Sequence, residues 1–131
     1  MIKRIEYVIV QVAALERQAL SYAVAVTQGL FEQLDWCFDE DEEGNSVFFN
    51  IWTEDEGSYR PDHLWEVGGP LIQSEQIDLQ WNGSDGLASW WEATHQDRAY
   101  RQIGDTPLIA ACRAIVAARF GDTVSVPKEL L

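Results

Sequence analysis

The chain has 131 residues, with 22 acidic against nine basic side chains and a net charge of −13. That length fits one domain whose core is large enough to fold without a disulfide or a metal, and the charge repels nucleic acid and anionic membranes. Nearly half of the residues are apolar and six are Trp, which excludes a disordered chain.

Two cysteines, Cys37 and Cys112, are too few for a disulfide framework. Cys112 falls on the apolar face of the last helix, which predicts a buried free thiol and a reducing, cytoplasmic setting. Lys3 and Arg4 precede an apolar run from Tyr7 to Leu15, as in a signal peptide. Glu6 and Gln11 break that run, so it reads instead as a strand leading into a helix. No run is long enough to span a membrane as a helix.

Taken in order, Ile5 to Val12 reads as a strand with apolar residues on both faces, which predicts a covered or central position. Ala14 to Gln28 reads as a buried helix ended by Gly29. Leu34 to Phe38 and Val47 to Trp52 read as a hairpin. The acidic turn Asp39-Glu40-Asp41-Glu42-Glu43 lies between them, and Glu54-Asp55-Glu56 follows. No Lys or Arg occurs between Arg17 and Arg60, an interval that holds ten acidic residues.

Gly57 to Pro70 reads as a loop, with a short helical turn from Pro70 to Gln73. Ile77, Leu79 and Trp81 alternate with polar residues as a half-buried strand. Asn82-Gly83-Ser84-Asp85-Gly86 is a turn signal, and Leu87 to Thr94 reads as the returning strand with Trp91 and Ala93 inward. Gln96 to Ile103 reads as a polar connection.

The last helix is marked at both ends. Asp105 or Thr106 can cap it, Pro107 suits its first position and Gly121 can end it in a left-handed conformation. Leu108, Ile109, Cys112, Ile115, Val116 and Phe120 make its apolar face, and Arg113 and Arg119 read as its solvated side. Thr123 to Val126 reads as extended. This order predicts an α+β fold, a mostly antiparallel sheet with two main helices packed on it. The alternative is a three-layer α/β/α sandwich. One domain spans residues 1–131, with the acidic hairpin inserted at about 31–57.

Asp39, Asp41, Glu43 and Gly44 imitate the early positions of a calcium loop, but Asn50 stands where the bidentate Glu belongs and the flanks read as strands. The two histidines, His63 and His95, and the cysteines lack zinc spacing. There is no nucleophile elbow and no phosphate loop. No catalytic residues, cofactor or metal are therefore assigned. The loop that carries Tyr59, Asp62, His63 and Trp65 has the residue types of a ligand or partner site. Its plain alternative is that Tyr59 and Trp65 plug the edge of the core. Trp90 and Trp91 face opposite ways in a strand, which leaves Trp90 for a second helix layer or for a partner surface.

Four blocks of the chain resemble the NinX-like small phage and prophage proteins, a domain family of unknown function. They are Val10-x-Val12-x-x-Leu15 with Ala19-Leu20-x-Tyr22-Ala23-Val24-Ala25; Tyr59-x-Pro61-x-x-x-Trp65-x-x-Gly68-Gly69-Pro70-Leu71-Ile72; Ile77-x-Leu79; and Thr106-Pro107-Leu108-Ile109-Ala110-Ala111-x-Arg113 through Val126-Pro127. Arg17 stands where the pattern has Gly, and Ser21-Tyr22 where it has Asp-Trp. The resemblance implies an accessory product of a phage or prophage genome, made in the cytoplasm of a bacterial host. It brings no activity and no catalytic residues.

The leading expectation is thus a non-enzymatic interaction factor that binds a host or phage protein, and not nucleic acid or a membrane. Its sharper form is an acidic mimic that meets a basic partner through Asp39, Glu40, Asp41, Glu42, Glu43, Glu54, Asp55 and Glu56. The second reading is a small-molecule-binding protein or enzyme that uses Tyr59, Asp62, His63 and Trp65. The third is a homodimer that pairs through an exposed Trp surface.

Overall fold

The computed structural model describes residues 6–30, 35–40, 46–53, 57–83, 89–96 and 101–131, with residues 35–58 as backbone only. In chain order the elements are β1 (Tyr7–Gln11), α1 (Arg17–Thr27), β2 (Asp35–Glu40), β3 (Ser46–Thr53), β4 (Gly57–Ser58), α2 (Trp65–Ser74), β5 (Ile77–Asn82), β6 (Trp90–His95), β7 (Arg101–Gly104), α3 (Pro107–Phe120) and β8 (Thr123–Pro127). The fold is α+β. Its described strands form three small antiparallel sheets instead of one: β1-β8, β2-β3-β4 and β5-β6-β7.

α3 organises the molecule. Thr106 Oγ1 accepts the Ile109 N–H at 3.1 Å and Pro107 takes the first turn. Gly121 closes the helix at φ +86°, a conformation that glycine adopts without strain. The helix is buried on two sides. Cys112, Val116 and Ala117 join one cluster with Val12, Leu20 and Val24 of the N-terminal segment and Val126 of β8. Ala110, Ala111, Ala114 and Ile115 join a second cluster with Ile77 and Ala93 of the β5-β6-β7 sheet. The expected apolar face is therefore too narrow: the alanines are buried too, while Phe120 is exposed. One sheet was expected beneath this helix, and the structure gives it a neighbour on each side.

The first strand departs from expectation as well. β1 pairs only with β8 among the described residues, with Tyr7 opposite Pro127 and Gln11 opposite Thr123. Its Tyr7–Ile9 face is open, with Ile9 73 % exposed. Apolar residues on both faces of a strand here mean a two-stranded ribbon, one face on the core and one in water. α1 begins at Arg17 in a left-handed conformation, φ +54°, and it buries Ala19 to Ala25 without a break.

Three further elements stand where loops were expected, the shortest being β4, with Ser58 opposite Trp52. α2 runs through Gly68, Gly69 and Pro70. Gly68 lets this helix lie close to Pro61: a Cβ there would collide with the Pro61 carbonyl and the Leu108 side chain. β7 pairs with β6, Gly104 opposite Trp91 and Arg101 opposite Thr94. Gly104 allows a similar approach to α3, since a Cβ there would lie 2.7 Å from the Ala110 nitrogen.

Candidate functional site

The Tyr59–Trp65 loop is a tight turn followed by the first residue of α2. The Arg60 carbonyl accepts the N–H of His63 at 3.0 Å and of Leu64 at 2.8 Å. Pro61 and Asp62 are buried inside the turn. Ser21 of α1 donates its hydroxyl to Asp62 Oδ1 at 2.8 Å. Arg60 donates Nε to the same oxygen at 3.0 Å and Nη2 to Oδ2 at 3.2 Å. Both oxygens of Asp62 are thus held by side chains of the protein, and the carboxylate fastens the loop to α1. Charge-assisted and bidentate, this pairing is the strong kind of hydrogen bond.

The four residues singled out in this loop point two ways. Tyr59 and Asp62 are buried, while His63 and Trp65 are exposed. Asp62 also reaches Cys112 electrostatically. Burial first, and then the Asp62 charge, push the Cys112 thiol well above its usual range, which makes it an inert core group.

A second polar cluster, not apparent in the sequence, lies at the C-terminal ends of α1 and α2. Gln28 Nε2 donates to Glu75 Oε1 at 2.9 Å, and His95 Nε2 lies 2.8 Å from Glu75 Oε2. Burial alone raises the Glu75 carboxyl, but the hydrogen bonds from Gln28 and His95 and the His95 charge outweigh it and hold the group below the usual range. No local motif announces this cluster, because its three members come from three elements. On the outer face of β5-β6-β7, Glu92 accepts from Asn82 Nδ2 at 3.0 Å and from Trp90 Nε1 at 3.4 Å. Hydrogen bonds from Asn82 and Trp90 lower its carboxyl, with Arg101 nearby adding to the effect.

Arg113 corrects the expected solvated side of α3. Its Nε donates to the Leu15 carbonyl at 2.9 Å and its Nη1 to the Ile103 carbonyl at 2.8 Å. It is half-buried, and that burial lowers its basicity despite the charges of Asp105 and Glu16.

An apolar groove of about 330 Å³ opens between α1, the end of α3 and the ribbon, with Thr123, Val124 and Ser125 of β8 in its wall. Ile9, Tyr22, Val26, Phe120 and Val124 line it. Burial, the Tyr7 charge and the Tyr7 hydroxyl bond push the Tyr22 hydroxyl up to about 12, so it stays protonated. Of the acidic patch, residues 41–43 and 54–56 lie outside the described residues, as does most of the calcium-like turn. Asp39 and Glu40 end β2, where the pairing with β3 shifts register. Among the described residues no group of three His, Cys, Asp or Glu is placed to hold a metal ion. No helix among them is long and apolar enough to cross a membrane.

Fold and loop together define a small α+β protein built around one central helix, with its loop carboxylate tied to the core. The family model described as Bacteriophage P22, NinX matches residues 11–119, and the chain belongs to that family. Comparison with the curated proteins gives no match.

Proposed function

We propose that this member of a phage protein family is a non-enzymatic accessory factor that binds a basic host or phage protein. One observation carries the reading: of the 22 acidic residues, ten fall between Arg17 and Arg60, an interval without a single Lys or Arg. Such a one-signed segment attracts a cationic surface and speeds its encounter. In the loop, the one carboxylate, Asp62, is already held by Ser21 and Arg60.

The test is capture on the immobilised full chain from a bacterial lysate at low salt, with stepwise salt elution and mass spectrometry. A retained basic protein released by moderate salt supports the reading, because exposed charges are screened over about 8 Å at physiological ionic strength. Retention that does not change with salt removes the acidic-mimic form. If nothing specific is retained, the weight moves to a small ligand at the exposed His63 and Trp65, which a metabolite thermal-shift screen addresses.

A further inference from the structure

Among the described residues, one edge of the ribbon pairs with no strand. Val12 donates its N–H to the Asp122 carbonyl, and Lys128 donates its own to the Glu6 carbonyl, both at 2.8 Å. Hydrogen-bonded pairs alternate along an antiparallel ladder. Val10–Val124 and Val8–Val126 are therefore the inner pairs, and Tyr7, Ile9 and Gln11 turn their N–H and C=O groups away from β8.

Proteins blunt such edges with charge, Pro or brevity. Every other outer strand among the described residues does so. β2 carries Asp35, Asp39 and Glu40, and β4 has only Gly57 and Ser58. β5 carries Asp78, β7 carries Arg101 and β8 carries Pro127. β1, with the sequence Tyr-Val-Ile-Val-Gln, carries no charge and no Pro.

Two more observations meet at this strand. Ile9, at its centre, also lines the apolar groove. Glu6, exposed, precedes Tyr7, and Lys128 Nζ stands 3.9 Å from the Glu6 carboxylate. We propose that the free edge of β1 takes up an extended segment of the partner as an added strand. That segment lays an apolar side chain against Ile9 at the mouth of the groove and carries Lys or Arg on either side. The ladder supplies affinity and the groove supplies selectivity. Charge decides the occupant. A second copy would bring another −13 against the first, whereas a cationic segment lowers the charge it joins. The inference rests on the reading that the partner is a basic protein.

The test uses the ¹⁵N-labelled full chain and a short synthetic peptide of alternating Val and Thr with a central Leu and lysines at both ends. The expected result is slowed amide exchange at Tyr7, Ile9 and Gln11, with binding about tenfold tighter than for the same peptide ended in glutamates. Ile9→Pro abolishes it. The Ile9 N–H is not in the inner ladder, so exchange at Val8 and Val10 stays protected and reports an intact ribbon. Ile9→Lys, which keeps every backbone donor, weakens the lysine peptide by charge and serves if the Pro variant does not fold. The proposal is overturned if the lysine peptide leaves those three amides unchanged, if the glutamate peptide binds equally, or if light scattering shows a dimer that already protects them. A salt-sensitive lysate partner retained equally by Ile9→Pro overturns the edge alone. Absence of any such partner for the native chain overturns the accessory-factor reading instead.

Discussion

The two sides of α3 are held by different means. Toward α1 and the ribbon it meets large aliphatic side chains, Leu20, Val24 and Val126, and beside them lies the buried pairing of Asp62 with Ser21 and Arg60. Toward the β5-β6-β7 sheet it presents Ala110, Ala111 and Ala114, and the sheet answers with Ala93 and Gly104. Polar ties fix the position on the first side. On the second, small residues let two backbones come close, and the position is fixed by how near they can approach. Arg113 joins the two sides, one nitrogen on the carbonyl of Leu15 and another on that of Ile103.

This difference can be broken from either side. The largest effect is expected from Asp62→Ala, which strands a buried Ser21 hydroxyl and an Arg60 guanidinium. The expected loss is about 3 kcal/mol in urea unfolding, and Asp62→Asn, which still accepts from Ser21, should lose about half of that. On the sheet side, Gly104→Ala forces a methyl against the Ala110 backbone and should cost about 2 kcal/mol. Gly69→Ala meets only Trp65, at 3.8 Å, and is its near-neutral control. If Gly104→Ala were silent, close approach would not be what positions that side.

A smaller change sharpens the first side. Arg17 opens α1 at φ +54°, which costs an L-residue about 1 kcal/mol. Arg17→Gly should therefore raise the unfolding midpoint by an amount worth up to about 1 kcal/mol. This is also the position where the family pattern carries Gly.

The smallest effect is in the pH profile. Glu75, lowered in the folded state by Gln28 and His95, contributes stability that is present above the ordinary value of 4.5 and is lost as the pH falls through its folded value. Glu75→Gln should be less stable than the native chain at neutral pH by about 0.5 kcal/mol or less. The two should converge in acid, as followed by urea midpoints across the acid range.

Much of this architecture is written locally. Thr106, Pro107 and Gly121 mark α3 because capping chemistry depends only on residues within one turn. The alternation in Ile77, Leu79 and Trp81 marks β5 for the same reason. α2 is not legible, since Gly68-Gly69-Pro70 has the composition of a loop. In the fold Gly68 passes close to Pro61 and Leu108, where only a residue without a Cβ fits, and tertiary context overrides propensity. β7 hides because Arg101 and Gln102 lack an apolar period, and its strand character comes from β6. At the candidate loop the residue types were visible, but the inward turn of Asp62 was not. It depends on Ser21, far away in the chain. Arg113 misled for a related reason: its carbonyl partners lie on other elements.

The pairing of β1 with β8 also has a consequence for how the molecule is born. The earliest described strand has its ladder partner only after Thr123 to Pro127 has been synthesised. Contacts this distant in sequence must wait for loop closure and slow the search for the native state. β5, β6, β7 and α3 follow one another along the chain, so the sheet side of the core closes over shorter loops than the ribbon does. Until β8 docks, Tyr-Val-Ile-Val-Gln lacks the one ladder partner it has among the described residues.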